Sequence, residues 1–390
     1  MLVPTFGILD WTKKEIEDID IKTRKILTQG GNFHRNSSVD RLYSSRKEGG
    51  RGLSSVVDTY ITRIVSIAEH LRQQNLKHKF LREVFRHESQ RIIRIASELC
   101  AATKVNIEDP NPKKTTCNVR DSLKENHTKS WTEKPQHGYL FRKHQGKAEY
   151  DKESSHSWLK DRFMSSHIEG YICAVQEQEI RTKQLINKRE NPESSPKCRF
   201  CKTMDESIFH IFNSCNHLST SMYLPLRHNE VAKVLYYELL KEFENTQEER
   251  KKPETTLRTA KVEMWWDKKI RVQPPVEYDR PDIVCWDLNK NKCIIIDICV
   301  PMDVNVARAE KEKCDKYFLL ASRLQRLYPQ YTYEIVPIVI GSTGYISKTL
   351  PKWLERCGFD SKKSNSIVPL LQRKALRGSI KIVKTALKLK

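Results

Sequence analysis

The stretch DRPDIVCWDLNKNKCIIIDICVP, residues 279–301, constrains the fold more than any other part of the chain. Two short runs rich in isoleucine, valine and cysteine flank the segment LNKNK, which reads as a hairpin-type turn between strands over Ile283–Asp287 and Cys293–Val300. Asp282 follows a proline at the start of the first strand, and Asp297 lies inside the second. A carboxylate in such apolar surroundings is costly unless a cation or a hydrogen-bond donor compensates it. A hairpin also brings both carboxylates towards one point, so the pair asks for a shared partner.

Two hard oxygen ligands, with water completing the shell, suit Mg²⁺. Such an ion activates water and offsets the charge that builds on a phosphate during hydrolysis. The spacing Pro-Asp-x14-Asp resembles the core pattern of the restriction-like nucleases, the PD-(D/E)XK fold. In that family a lysine follows two residues after the second acid, and here Cys299 stands there. The next helix, from about Val306 to Tyr328, has an apolar face at Tyr317, Leu320, Leu324 and Leu327. One turn back on that face lies Lys313, with Lys316 beside it. Either Lys313 faces the sheet and orients a water, or it snorkels with its head in solvent. The aspartates likewise read as metal ligands, or as a turn residue and an ordinary buried acid.

A second constellation is Cys198, Cys201, His210 and Cys215, spaced Cys-x2-Cys-x8-His-x4-Cys behind the breaker NPESSP. Two cysteines with two residues between them grip one Zn²⁺ from a tight knuckle, and the later His and Cys close the tetrahedron. His217 is a substitute ligand for His210. With no open coordination position, this zinc is expected to be structural or to serve nucleic-acid binding.

Charge bounds the partners. Seventy basic residues against 49 acidic ones give a net charge of +21 over 390 residues. Such an excess, dispersed along the chain, predicts attraction to a polyanion with steep salt dependence. Eleven scattered cysteines do not form a secreted disulfide framework. No apolar run nears the roughly 18 residues of a membrane helix, and MLVPTFGILDWTKKE lacks the pattern of a secretory signal.

Along the chain, Thr12 and Glu15 form a capping box for a helix over residues 12–28, with an apolar-leaning stripe at Ile16, Ile19, Thr23 and Ile26 or Leu27. A basic, glycine-punctuated loop (Val39 to Val56) precedes a long helical stretch from Val57 to Ala102. Residues 103–157 read as a polar linker, and a helix is expected over Ser165–Lys188. Helical periodicity returns over Glu230–Glu244, then the charged stretch ENTQEERKKPETT leads into the strands. After the strand YEIVPIVIGS and the helix SKTLPKWLERCG, residues 361–390 carry nine basic side chains and no acid. Leu371, Ala375, Ile382 and Ala386 recur there at helical spacing, which fits a basic amphipathic helix that contacts nucleic acid or docks by its apolar side.

In order, LDWTKKEIEDIDIKTRKILT, VDRLYSSRKEGGRGL, EKPQHGYLFRK, IEGYICAVQEQEIRTKQL, CRFCKTMDESIFHIFNSC, RPDIVCWDLNKNKCIIIDICVPMD, EKEKCDKY and EIVPIVIGSTGYISKTLPKWLERCG resemble the C-terminal part of the Pol protein of non-LTR retrotransposons with a restriction-like endonuclease. The resemblance implies an α+β multidomain chain. It would comprise a reverse-transcriptase thumb-like helical region (1–102), the polar linker (103–157), a helical connector (158–190) and a CCHC zinc knuckle (191–220). A helix and charged linker (221–260), a restriction-like endonuclease with an α/β core (261–360) and the basic helix (361–390) would follow. It further implies a nuclear, Mg²⁺-dependent endonuclease that uses Asp282, Asp297, Lys313 and Lys316 to nick target DNA and so prime reverse transcription, with element RNA as a second partner. No Asp-Asp dipeptide occurs, so the polymerase palm is absent and no polymerase activity is expected. The alternative is a catalytically silent DNA- or RNA-binding remnant of such a protein.

Overall fold

The computed structural model describes residues 3–9, 11–74, 79–84, 90–103, 112–244 and 253–389. The chain is α+β and forms two compact units, Met1–Gly138 and Tyr139–Lys390. Among the described residues no helix is long and apolar enough to cross a membrane.

The first unit holds helices α1 (Lys13–Gln29), α2 (Val39–Tyr43), α3 (Val56–Gln74), α4 (Lys79–Val84), α5 (Gln90–Thr103) and α6 (Pro112–Glu133). Thr12 and Glu15 cap α1 reciprocally, as their spacing requires. The expected apolar stripe of α1 is thinner than its sequence suggests: Ile16 is buried, but Ile26 faces solvent. The other inward residue is Asp20. It accepts hydrogen bonds from the Tyr43 hydroxyl (2.7 Å) and the Val56 N–H (2.8 Å), and pairs with Arg24.

The first residues of the expected glycine-punctuated loop, 39–43, are helix α2, and the rest folds back on it through Arg51 N to Arg41 O and Leu53 N to Leu42 O. Gly50 is required there, because a Cβ would sit 2.2 Å from the Ser44 carbonyl oxygen. The long helical stretch is described as α3, α4 and α5; residues 75–78 and 85–89 lie outside the described residues.

Part of the expected linker is helix. Over 112–133, α6 buries Thr115, Val119, Leu123 and Trp131, and Val119 and Leu123 join Ile61, Ile64 and Val65 of α3 in one core. These positions recur every four residues, or every eight, so the stripe is one residue wide amid polar neighbours. That narrowness made the segment read as a linker. Residues 104–111 of it lie outside the described residues.

The second unit begins with α7 (Tyr139–His144), α8 (Lys152–Ser155), α9 (Ser166–Gln176), α10 (Lys183–Arg189), α11 (Asn216–Leu218) and α12 (Asn229–Glu244). The single helix expected over 165–188 is two, α9 and α10, separated by residues 177–182. Between α11 and α12, Ser219–His228 winds in wide π-type turns and carries Pro225. Within the charged stretch, residues 245–252 lie outside the described residues.

A five-stranded sheet follows in the order β1 (Thr256–Arg258), β2 (Val262–Trp266), β3 (Ile283–Asp287), β4 (Lys292–Cys299), β5 (Thr332–Val339). All neighbours are antiparallel except β4 and β5, which are parallel. The parallel pair needs a crossover, supplied by α13 (Val306–Lys316) and α14 (Phe318–Leu327). The one helix expected over 306–328 is thus broken at Tyr317. Its apolar face ends early: Leu320 and Leu324 are buried, while Leu327 is exposed.

Side chains alternate across β4. Ile294, Ile296 and Ile298 pack towards α12, α15 (Leu350–Arg356) and α16 (Ser361–Leu387), whereas Cys293 and Ile295 meet Tyr317, Leu320 and Leu324. The basic C-terminal helix is α16, and Leu371, Ala375, Ile382 and Ala386 are buried along it. Its second half shares a core with Trp158, Ile172, Cys198 and Phe212. The domain boundaries drawn at 157/158, 190/191, 220/221, 260/261 and 360/361 therefore all fall inside one compact unit.

Candidate functional site

In the β3–β4 register Ile283 faces Ile296, so Asp282 and Asp297 are the next opposed residues along the two strands. Both belong to the face that α13 covers. The Ile298 N–H donates to Asp282 Oδ2 at 2.6 Å, which fixes the strand end against that carboxylate. The Asp297 side chain is 3% exposed and forms ion pairs with Lys313 on one oxygen and Lys316, at 3.4 Å, on the other. Three residues apart on α13, the two lysines share one side of the helix and reach the same carboxylate. Burial weakens the Lys313 ammonium, but the charge of Asp297 outweighs it and holds the amine above its ordinary range.

The sequence brings these four residues together as expected, with one addition. His228, at the end of the wide-turn segment, places Nε2 3.1 Å from Asp282 Oδ2 and 3.1 Å from the Ile298 carbonyl oxygen. Burial lowers its pKa, yet the hydrogen bond to Asp282 and the charge of that carboxylate more than reverse the effect and raise it to about 9. Burial likewise pushes the Asp282 carboxyl up, but the bond and charge of His228 and the Ile298 N–H hold it below the usual carboxylate range. No signal in the sequence marks His228, which lies far outside the hairpin. Cys299, at the position where the resemblance places a lysine, packs against Val306, Ala309, Val339 and Tyr345.

The second constellation also assembles. One ligand atom from each of Cys198, Cys201, His210 and Cys215 lies within 4.8 Å of the other three. Cys198 Sγ is 4.0 Å from Cys215 Sγ, and Cys201 Sγ is 3.3 Å from His210 Nε2. A tetrahedral zinc with ordinary bond lengths separates its ligands by about 3.5–3.8 Å. The cluster therefore fits a metal ion such as zinc. His217 is exposed and stands outside it, which resolves the ligand choice in favour of His210.

The local fold explains the fit. Cys198 N–H bonds the Met204 carbonyl and Lys202 N–H bonds the Cys198 carbonyl, closing a tight turn with Lys202 in the left-handed region. Tyr223 donates to the Ile211 carbonyl at 2.8 Å and accepts from the Cys215 N–H at 3.2 Å, pinning the second ligand pair. Glu206, fully buried, takes both Arg199 nitrogens at 2.8 Å and braces the knuckle. Burial, and then the neighbouring Cys198, raise the Cys215 thiol to about 11. A bound dication inverts that preference, because it draws thiols into the thiolate form.

The chain matches no family model and no curated protein.

Proposed function

We propose that the protein is a metal-dependent DNA endonuclease of non-LTR retrotransposon origin, with a restriction-like nuclease core and a thumb-like first unit. The observation that supports this reading best is the meeting of Asp282, Asp297, Lys313 and Lys316 at one partly open end of the sheet. Side-chain exposures of 20% for Asp282, 21% for Lys313 and 27% for Lys316 leave the group accessible from solvent. Asp282 and Asp297 form an oxygen-only donor pair that suits Mg²⁺, and they would hold it. Such an ion supplies Lewis-acid stabilisation and a more acidic bound water.

The chain's own residues contribute the rest. Lys313 and Lys316 place two ammonium groups where a phosphodiester would enter, and their charge favours the dianionic character of the transition state. Lys313, held by Asp297, is the group placed to hydrogen-bond and orient an attacking water. His228 and the Ile298 N–H keep Asp282 ionised and fixed in direction. In the same reading the zinc of the Cys198–Cys215 knuckle is structural, and the net charge of +21 holds target DNA and element RNA in the nucleus.

One observation favours the silent-remnant reading. Asp297 already has two lysines and Asp282 already has His228 and an N–H, so both acids are compensated without any ion. Nicking of supercoiled plasmid with Mg²⁺ and with chelator separates the two. Metal-dependent nicking that Asp297→Ala abolishes supports the nuclease; DNA binding with no nicking by the parent protein supports the remnant.

A further inference from the structure

The outward side of α16 carries a feature that the nuclease reading does not use. Arg373, Arg377, Lys381 and Lys384 follow one another at intervals of four, four and three residues, which keeps them on one side of the helix. The opposite side is the buried one, containing Leu371, Ala375, Ile382 and Ala386. At the helical rise the stripe runs about 16 Å, with steps of about 4.5–6 Å. Those steps are comparable to the separation of successive phosphates in an extended single strand. Arg373 is half-buried and pairs with Asp161 at 2.5 Å, whereas Arg377 and Lys381 are exposed and no acid pairs with Arg377, Lys381 or Lys384 among the described residues.

Two aromatic rings border this stripe. Phe163 is 69% exposed, and the Arg373 guanidinium lies 4.5 Å from its ring centroid. Arg377 donates to the Phe163 carbonyl, which fixes the backbone that carries the ring. Further along, Lys384 sits 4.7 Å above the ring of the half-buried Tyr171 of α9, which packs on the core and meets His167 edge-on. The Phe163 ring thus stands in water with one cation fixed against it. Aromatic platforms alternating with backbone-tracking cations are what sequence-tolerant binding of single strands requires.

We propose that Phe163, Tyr171 and the cations Arg377, Lys381 and Lys384 form a binding track for single-stranded nucleic acid, with bases stacking on the rings, phosphates following the helix, and Arg373, tied to Asp161, backing the Phe163 ring. The track does not depend on cleavage chemistry at Asp282 and Asp297. Because Gly378 and Ser379 of α16 pack on the segment that ends at His228, the track and the acid pair belong to one compact unit.

The test measures anisotropy of labelled 15-nucleotide single-stranded DNA, single-stranded RNA and duplex DNA with the full chain. Phe163→Ala is expected to weaken single-strand binding on the order of 10-fold, as loss of one stacked base does, while duplex binding changes less than about 2-fold. Phe163→Trp is expected to retain the parent's affinity. The double variant Lys381→Gln/Lys384→Gln is expected to reduce the slope of log affinity against log salt by about 1.4 on single strands. Melting curves check that each variant is folded, and an exposed ring makes unfolding of Phe163→Ala unexpected. A loss on single-stranded DNA, on RNA or on both supports the track, and a loss on one alone identifies its strand. Unchanged single-strand binding by Phe163→Ala, or an equal loss on duplex, overturns it.

Discussion

Asp297 of β4 and Lys313 of α13 form an ion pair in which the acid is almost wholly buried and the lysine remains one-fifth exposed. The lysine therefore brings its charge to the carboxylate from the solvent side, and Lys316 reaches the other oxygen at 3.4 Å. This asymmetry makes the two ends of the pair respond differently to substitution.

Asp297→Ala is expected to abolish nicking while DNA binding survives, and Asp282→Ala to do the same. Lys313→Ala is expected to slow nicking on the order of 10²-fold, the range for a lost proton-transfer or electrostatic group. Lys316→Ala is expected to cost less, because its amine lies farther from the carboxylate. Single-turnover nicking rates, read beside anisotropy titrations, check the order. If Lys316 proves the more costly loss, the roles of the two lysines are exchanged.

Metal analysis of the purified chain is expected to return one zinc per molecule. Cys201→Ser is expected to bind less than a tenth of that and to expose the knuckle to protease near Lys202, since binding and local folding are coupled. His217→Ala is expected to keep full occupancy. A parent protein without zinc, or a Cys201→Ser variant with a full complement, excludes the site.

His127 on α6 joins α2 and α3 in the first unit, with Nδ1 3.0 Å from Asp40 and Nε2 3.0 Å from Asp58. Burial lowers its pKa, but the hydrogen bonds to Asp40 and Asp58 and their charges raise it to about 9. A pKa above the unfolded value of about 6.5 means the charged histidine stabilises the fold fully below that pH. The contribution fades as pH rises through 9. Thermal melts are expected to show His127→Gln less stable than the parent at pH 6, with the gap closing by pH 10. A constant gap across that range shows that the histidine does not carry its charge in the fold.

Gly378→Ala is expected to destabilise the second unit by about 1–3 kcal/mol. A Cβ there would lie 2.4 Å from the Leu226 carbonyl oxygen and 2.7 Å from the Arg227 Cα, and neither backbone atom can swing away. The buried Arg227, which donates to the Phe212 carbonyl, Asn213 and Ser379, depends on the same close approach. Lys381→Ala, on the exposed side, is expected to stay within about 0.5 kcal/mol. Denaturant melts compare the two, and equal midpoints mean that the helix shifts to accept the methyl.

Local signals determined the elements they touch directly. The capping box of α1, the β3–β4 hairpin and the four-residue knuckle need only spacing, because the groups that meet are close along the chain. The i, i+3 spacing of Lys313 and Lys316 on α13 likewise placed both on the side of Asp297. Tertiary structure decided what no short window contains. His228 comes to Asp282 from 54 residues away, Asp20 is buried because Tyr43 and Val56 bring donors to it, and α6 is a helix because α3 covers its narrow stripe. The connector, the knuckle and α16 are one core because none of them alone has enough apolar surface to close against water.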